Sequence, residues 1–392
     1  MSTPMSARLA QRIRDLPPYL FARIDELKNE ARAKGADIID LGVGDPDLPT
    51  PPHIVAELAR AAAEPKHHRY PSYQGLLDFR RAAAEYYQRR WGVNLDPARE
   101  VVALIGSKEG IAHFPVAFVD PGDLVLVPDP GYPVYEIGTR FAGGVVERVP
   151  LRRESGFLPD LKAIPAELAR RAKILWVNYP NNPTAAIAPR SFYADLVAWA
   201  RDNQVIIASD NAYADVYYGQ HAPESILSVP GAREVAIEFY SLSKTYNMTG
   251  WRVAFACGNA DLVAGLGKVK TNVDSGVFEA VQRAAIAALS GDQSCVAELR
   301  SVYRERRDVL CGGLAAAGFD VLTPEASFYT LVANPPGYSS MEFAARLLGE
   351  AHIVGTPATG FGACGEGYVR LTMCAPVERL REAVDRVKKL SL

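Results

Sequence analysis

Phe239-Tyr-Ser-Leu-Ser-Lys244-Thr-Tyr-Asn-Met-Thr-Gly-Trp-Arg252 sets a lysine directly after an apolar run, with hydroxyls at Ser241, Ser243 and Thr245 and an arginine eight residues on. Ala236–Tyr240 reads as a strand, so Lys244 stands just beyond a strand end. A lysine amine forms an imine with an aldehyde when it is partly desolvated. Hydroxyls and a guanidinium are donors for a phosphate dianion. Taken alone, the same residues describe a solvated lysine in a loop, because short motifs recur by chance.

Outward from this stretch the chain alternates. Strand candidates are Val101–Ile105, Leu124–Val127, Val145–Val149, Ile174–Asn178, Val205–Ser209, Ala236–Tyr240 and Val253–Ala256. Helical patterns such as Lys108–Phe118, stopped by Pro121-Gly122, and Arg190–Asp202 lie between them. This alternation predicts an α/β fold with a mostly parallel sheet. Val205-Ile206-Ile207-Ala208 has no polar alternation, as a strand covered on both faces requires. After about residue 285 the pattern changes. A long charged helix near Ala297–Ala317 precedes Phe319–Leu322, Tyr329–Val332, a helix near Met341–Gly349, and Tyr368–Met373. That reads as a smaller α/β unit, and 392 residues leave room for two cores.

Three more strand ends carry chemistry. Asp210-Asn-Ala-Tyr213 follows the run Val205–Ser209, at the carboxyl end where open α/β sheets bind ligands. A carboxylate there can keep a pyridinium nitrogen protonated, and a phenol three residues on can reach a ring oxygen; as an isolated feature Asp210 is an ordinary helix cap. Asn178-Tyr-Pro-Asn-Asn182-Pro-Thr184 makes a turn and can present the Asn182 amide to the same ring oxygen. Ile105-Gly106-Ser107-Lys108-Glu109-Gly110 opens a helix whose free amides make a phosphate seat, with Gly106 allowing close approach. Together these ends provide what one phosphorylated pyridine aldehyde requires: a phosphate seat, an amide, a carboxylate with a phenol, and a lysine with an arginine. Pyridoxal 5'-phosphate (PLP) is therefore the expected cofactor, with Lys244, Asp210 and Tyr213 as the catalytic set.

With these motifs in place, nearly the whole chain resembles the class I/II aminotransferases of PLP fold type I. Asp40-Leu-Gly-Val-Gly44-Asp-Pro-Asp is similar to the family's opening segment, and Gly44 then falls beside substrate. Tyr70-Pro-Ser-Tyr-Gln-Gly75 resembles the segment whose tyrosine reaches the neighbouring subunit's cofactor phosphate, which implies a homodimer with shared sites. Pro130-Gly-Tyr132-Pro matches the aromatic residue that stacks on the ring, and Tyr368-Val-Arg370-Leu the arginine that clamps the substrate α-carboxylate. The resemblance implies a seven-stranded large domain over 50–285, a small domain from 15–49 and 286–392, and an N-terminal arm at 1–14. Cofactor contacts then fall to Ser107, Lys108, Tyr132, Asn182, Asp210, Tyr213, Ser241, Ser243, Lys244 and Arg252, with Tyr70 from the partner. Gly-Ser-Lys108-Glu-Gly and Leu-Pro-Pro-Tyr19 look most like bacterial LL-diaminopimelate aminotransferases, where the residues matching Tyr19 and Lys108 touch substrate; Arg370, Gly44 and Asn182 complete that set. Asn272 also falls toward the site on this resemblance. Ala185 departs from the family, which usually has Gly there.

The expected reaction is ping-pong transamination between an L-amino acid and 2-oxoglutarate, LL-diaminopimelate being the favoured donor and aspartate, alanine or aromatic amino acids the alternatives. A PLP carbon–sulfur β-lyase would use the same lysine and ring contacts. A PLP-binding transcription regulator would need a winged helix-turn-helix ahead of the pattern that begins by about residue 40. A cofactor-free binding protein would leave the clustered Lys, Asp and Arg without a purpose. Forty-three basic residues against 45 acidic give no pull toward nucleic acid or anionic membrane. No apolar run is long enough to span a bilayer, and five cysteines without CxxC spacing indicate neither a disulfide framework nor a zinc site, so a cytoplasmic location is expected. Gly42-Val-Gly44 lacks the third glycine of a dinucleotide loop. His67-His68 reads as a surface or interface pair, and Lys268-Val-Lys270 as a solvated face.

Overall fold

A computed structural model describes residues 8–16, 26, 28–30, 32, 33 and 35–390. Strands are numbered along the chain: β1 Ile39–Asp40, β2 Val101–Leu104, β3 Leu124–Asp129, β4 Val145–Pro150, β5 Ala172–Asn178, β6 Ile206–Asn211, β7 Ala236–Ser241, β8 Ala254–Gly258, β9 Val321–Leu322, β10 Tyr329–Ala333, β11 Ile353–Val354, β12 Thr356–Pro357 and β13 Tyr368–Thr372. The large sheet has seven strands in the order β2-β8-β7-β6-β5-β3-β4. Four neighbouring pairs are parallel, and only those made by β8 are antiparallel. All seven fall where the alternating pattern put them.

Two-sided burial holds this sheet. Val125, Val127, Ile174, Trp176, Ala208, Ile237 and Phe239 face one apolar cluster, while Leu126, Leu175, Val177, Ile207 and Tyr240 face another. Alternate residues of each strand thus enter opposite cores, which is why these strands read as unbroken apolar runs. Helices Ser107–Phe118 and Arg190–Asn203 match their expected spans to within a residue.

The second sheet has the order β12-β13-β10-β9 and is antiparallel. It is flanked by the helices Ser294–Ala316, Ser340–Ala351 and Val377–Val387, the second of which starts on a capping box between Ser339 and Glu342. β1 pairs in parallel with β11, and Ile39 and Leu41 enter the same core as Phe328, Leu371 and Leu380. An early segment is therefore built into a unit made mainly of late sequence.

Two surface expectations are corrected. Lys270 is fully buried, because the last turn of the helix Ala260–Val273 points its ammonium at Glu109 and Asp274; Lys268 is exposed as expected. His67 is also buried, its Nδ1 2.7 Å from Glu279 Oε2, while His68 lies on the surface. In both cases a polar residue lies inside because it has an ionic partner distant in sequence.

Candidate active site

The carboxyl ends of β2, β3, β5, β6 and β7 share one edge of the large sheet, since β8 reverses direction between β7 and β2. Ser241 and Leu104 both pair with Ala254 at the start of β8. The residues that follow five strand ends and precede a sixth strand's beginning are thereby gathered at one rim. Arg252 arrives there because β8 runs backward. A cavity of about 440 Å³ opens at this rim and is lined by Gly44, Ser107, Lys108, Tyr132, Asn178, Asn182, Asp210, Tyr213, Ser241, Ser243, Lys244, Arg252, Tyr329, Phe361 and Arg370, among others.

Lys244 projects from a single helical turn, Leu242–Thr245, that follows β7; the Ser241 hydroxyl caps this turn by accepting from the Ser243 N–H at 3.2 Å. The ammonium donates to the Gly44 carbonyl at 2.8 Å. Burial lowers its pKa, and the positive charges of Arg252 and Arg370 act in the same sense against Cys374 and Asp45. Such an amine is poised to lose its proton and become a nucleophile.

Asp210 lies next to the end of β6 with its carboxylate inside the protein. Oδ2 accepts from the Tyr135 hydroxyl at 2.8 Å, while Oδ1 has no partner among the described residues. Tyr135 is itself held by stacking on Trp176, with centroids 4.9 Å apart and planes 12° from parallel. Burial pushes the Asp210 carboxyl up to about 7, and Tyr135 with the Ala212 amide offsets only part of that. A buried carboxylate with an open oxygen invites a cationic donor.

Where the phosphate seat is expected, Gly106 has φ +74°, and a Cβ there would lie 2.3 Å from the Arg252 guanidinium. Only glycine permits this approach at the start of the helix Ser107–Phe118. The buried Ser107 hydroxyl has no partner among the described residues. Arg252, also at positive φ, spends one nitrogen on the Thr249 carbonyl at 2.9 Å.

Across the cavity, Arg370 projects from β13 of the second sheet and is 2 % exposed. It donates to Asn182 Oδ1 at 2.7 Å and to the Gly42 carbonyl at 2.6 Å, and its Nε has no partner among the described residues. The guanidinium lies 4.2 Å from the Tyr329 ring centroid and 4.6 Å from that of Phe361. The backbone N–H of Asn182 donates to Asn178 Oδ1, whose amide donates to the Asp210 carbonyl, each at 2.8 Å. Tyr213 and Tyr329 hydroxyls meet at 3.2 Å, and a Cβ on Gly44 would lie 1.9 Å from the Tyr329 oxygen.

Most of the residues singled out from sequence thus converge on one cavity. Tyr70 does not line it and is 89 % exposed. Asn272 stays exposed, its amide on the Lys268 carbonyl. Tyr19 lies outside the described residues. Ala185 adopts φ 60°, so the turn keeps a glycine-like conformation with an alanine in it. Tyr135, Tyr329 and Phe361 escaped the sequence reading, because nothing local marks a core aromatic as one that also faces a cavity, as Tyr329 and Phe361 do, or that holds a carboxylate in it, as Tyr135 does. Asn178 stood inside a quoted motif without being assigned a task.

An open carboxylate oxygen, an unengaged hydroxyl beside a guanidinium at a helix start, and a desolvated lysine fit a phosphorylated pyridine aldehyde; they define the site of a PLP-dependent enzyme. The family model for aminotransferase class I and II matches residues 36–387. The chain is 58% identical over 382 residues to the LL-diaminopimelate aminotransferase of Syntrophobacter fumaroxidans, covering 97% of this chain and 98% of that one. It is 57% identical to the enzyme of the same name from Aquifex aeolicus, covering 98% and 99%. The aspartate aminotransferase structure from Thermus thermophilus with maleate superposes with a TM-score of 0.90 at 32% identity, covering 97% and 99%. The chain belongs to the class I and II aminotransferases and is a PLP-dependent transaminase of fold type I.

Proposed function

We propose that this transaminase takes the amino group of LL-diaminopimelate and delivers it to 2-oxoglutarate by a ping-pong route. The names and the 57–58% identity of its full-length relatives support the donor. The observation that carries the chemistry is the convergence on one cavity of the Lys244 amine, the open Asp210 oxygen and the Arg370 guanidinium. When bound, PLP provides an aldehyde that carries the amino group and a ring that withdraws electrons from the substrate α-carbon.

The chain's own residues do the rest. Lys244 would hold the cofactor, and its Nζ would move the proton at the substrate α-carbon. Asp210 Oδ1 would keep the ring nitrogen protonated, with Tyr135 holding that carboxylate in line. Tyr213 and Asn182 serve the ring oxygen, and Tyr132 packs against the ring. Ser107, Lys108, Ser241, Ser243 and Arg252 hold the phosphate, with Tyr70 arriving from a second copy of the chain. The exposure of Tyr70 and its absence from its own cavity support that exchange, and with it a homodimer. Arg370 orients the α-carboxylate; Gly44, Asn182, Lys108 and Tyr19 complete the substrate side. The chain then divides into a large domain over 50–285, a small one from 15–49 and 286–392, and an arm at 1–14. Five free thiols support a cytoplasmic setting. No helix among the described residues is long and apolar enough to cross a membrane.

Arg370→Lys is expected to raise KM for the amino acid about 100-fold, since a buried charge pair loses its two-pronged geometry. Cofactor affinity should hold; its loss in a spectrophotometric titration would move Arg370 to the cofactor side.

The donor is tested by a panel with 2-oxoglutarate. LL-diaminopimelate should exceed aspartate, alanine and aromatic amino acids in kcat/KM by about 100-fold or more, as polar recognition of a distal group allows. Comparable rates with aspartate would overturn this donor. Formation of pyruvate, ammonia and thiol from a thioether amino acid, without transamination, would favour the β-lyase.

A further inference from the structure

Lys270 takes no part in the cavity, yet it is the kind of group a protein core rarely holds. Its ammonium is wholly buried, 3.0 Å from Glu109 Oε2 and 2.9 Å from Asp274 Oδ2. The same Glu109 oxygen accepts from the Ile105 N–H at 3.1 Å, one residue before Gly106, and Oε1 lies 2.8 Å from His113 Nδ1. Burial works against a charged Glu109, but His113, Lys270 and the Ile105 amide together hold its carboxyl below its usual value. Asp274 uses its other oxygen to accept from the Gly276 N–H at 2.8 Å. Gly276, at φ +85°, lies so close to Ser72 that a Cβ would fall 2.9 Å from the Ser72 carbonyl oxygen. One ammonium therefore ties the start of the helix Ser107–Phe118 to the turn against which the segment following Tyr70 rests. Glu109, His113 and Asp274 lie close enough together to hold a cation, and the lysine is that cation.

We propose that Lys270 is a positioning residue for cofactor phosphate, fixing through Glu109 the seat formed at Gly106 and Ser107 and through Asp274 the segment that carries Tyr70. This rests on reading that seat as the phosphate site. Removing the ammonium leaves two partly buried carboxylates facing each other, Glu109 keeping only His113 and the Ile105 amide, and the cheapest relief is for the loop ahead of Gly106 to shift. Lys244 and Asp210, which would hold the cofactor's aldehyde and ring nitrogen, make no hydrogen bond or ion pair to this cluster among the described residues.

The test compares two aldehydes that differ only in phosphate. Protein stripped of cofactor is titrated with PLP and with unphosphorylated pyridoxal, following visible absorption. Lys270→Met should weaken PLP about tenfold or more, the usual cost of losing a supporting partner, and leave pyridoxal within about twofold. Asp274→Asn, which keeps the acceptor for Gly276, provides a milder variant expected to show a smaller loss of the same selectivity. Equal weakening of both aldehydes, or of neither, in the variants that fold would overturn the role of Lys270. Ser107→Ala separates the two readings: if it does not weaken PLP relative to pyridoxal, the phosphate seat itself has been misplaced.

Discussion

Lys244→Ala protein is expected to lose turnover by at least about 10⁴-fold, the upper range for removal of a positioned proton-transfer group. On the proposed roles two functions vanish together, the covalent anchor of the cofactor and the base that works at the substrate α-carbon. No other amine of the cavity is placed to replace it: Lys108 belongs to the phosphate corner, on the helix that starts after β2. Borohydride reduction followed by peptide mapping gives a second readout. Wild-type protein should carry the cofactor's mass on the peptide containing Lys244, and the variant should carry none. Retention of that mass on a different lysine would show that the anchor has been misassigned.

Asp210→Asn should lower kcat by about 10³-fold, within the range for removing one preorganised electrostatic partner, with little change in KM. Its pH signature is equally specific. The folded pKa of about 7 lies above the ordinary 3.8. The stability tied to this group is therefore complete below about pH 4 and is lost as pH rises through 7, each unit of displacement amounting to about 1.4 kcal/mol. A protonated ring nitrogen at Oδ1 offsets that loss. The rise in Tm on loading cofactor should thus be larger at pH 8 than at pH 5 in wild-type protein, and this difference should shrink in Asp210→Asn. A variant with near wild-type kcat and an unchanged pH pattern would remove Asp210 from the ring nitrogen.

The parts of this site that were legible in sequence share a physical property: each is a polar residue at the end of an apolar run. Lys244, Asp210, Asn182 and Ser107 were visible because the sheet needs unbroken apolar strands, so the polar residues gathered just after each run mark the rim. Arg252 was found by its spacing from Lys244, although the reason it reaches the rim, the reversal of β8, is a matter of strand pairing that no local pattern carries. Lys270 and His67 were misread for the complementary reason. Their burial depends on Glu109 and Asp274, and on Glu279, and a lysine or histidine shows nothing in its own neighbourhood of where its counter-charge lies. Tyr329 belongs to the core by composition and to the cavity only by position, and Tyr135 reaches the site only through its bond to Asp210. Gly44 came from family likeness, and its necessity is steric: the Tyr329 hydroxyl fills the space a side chain would need.

The Arg370 guanidinium reaches the Gly42 carbonyl across 328 residues of sequence. During synthesis on the ribosome, the proposed carboxylate clamp is therefore among the last pieces to emerge, long after Lys244 and Asp210 have been made. A nascent chain halted before β13 lacks both the clamp and the central strand on which it stands. Substrate recognition thus waits for near-completion of translation, and the opening strap around Gly42 and Gly44 finds its final resting place only when the tail arrives.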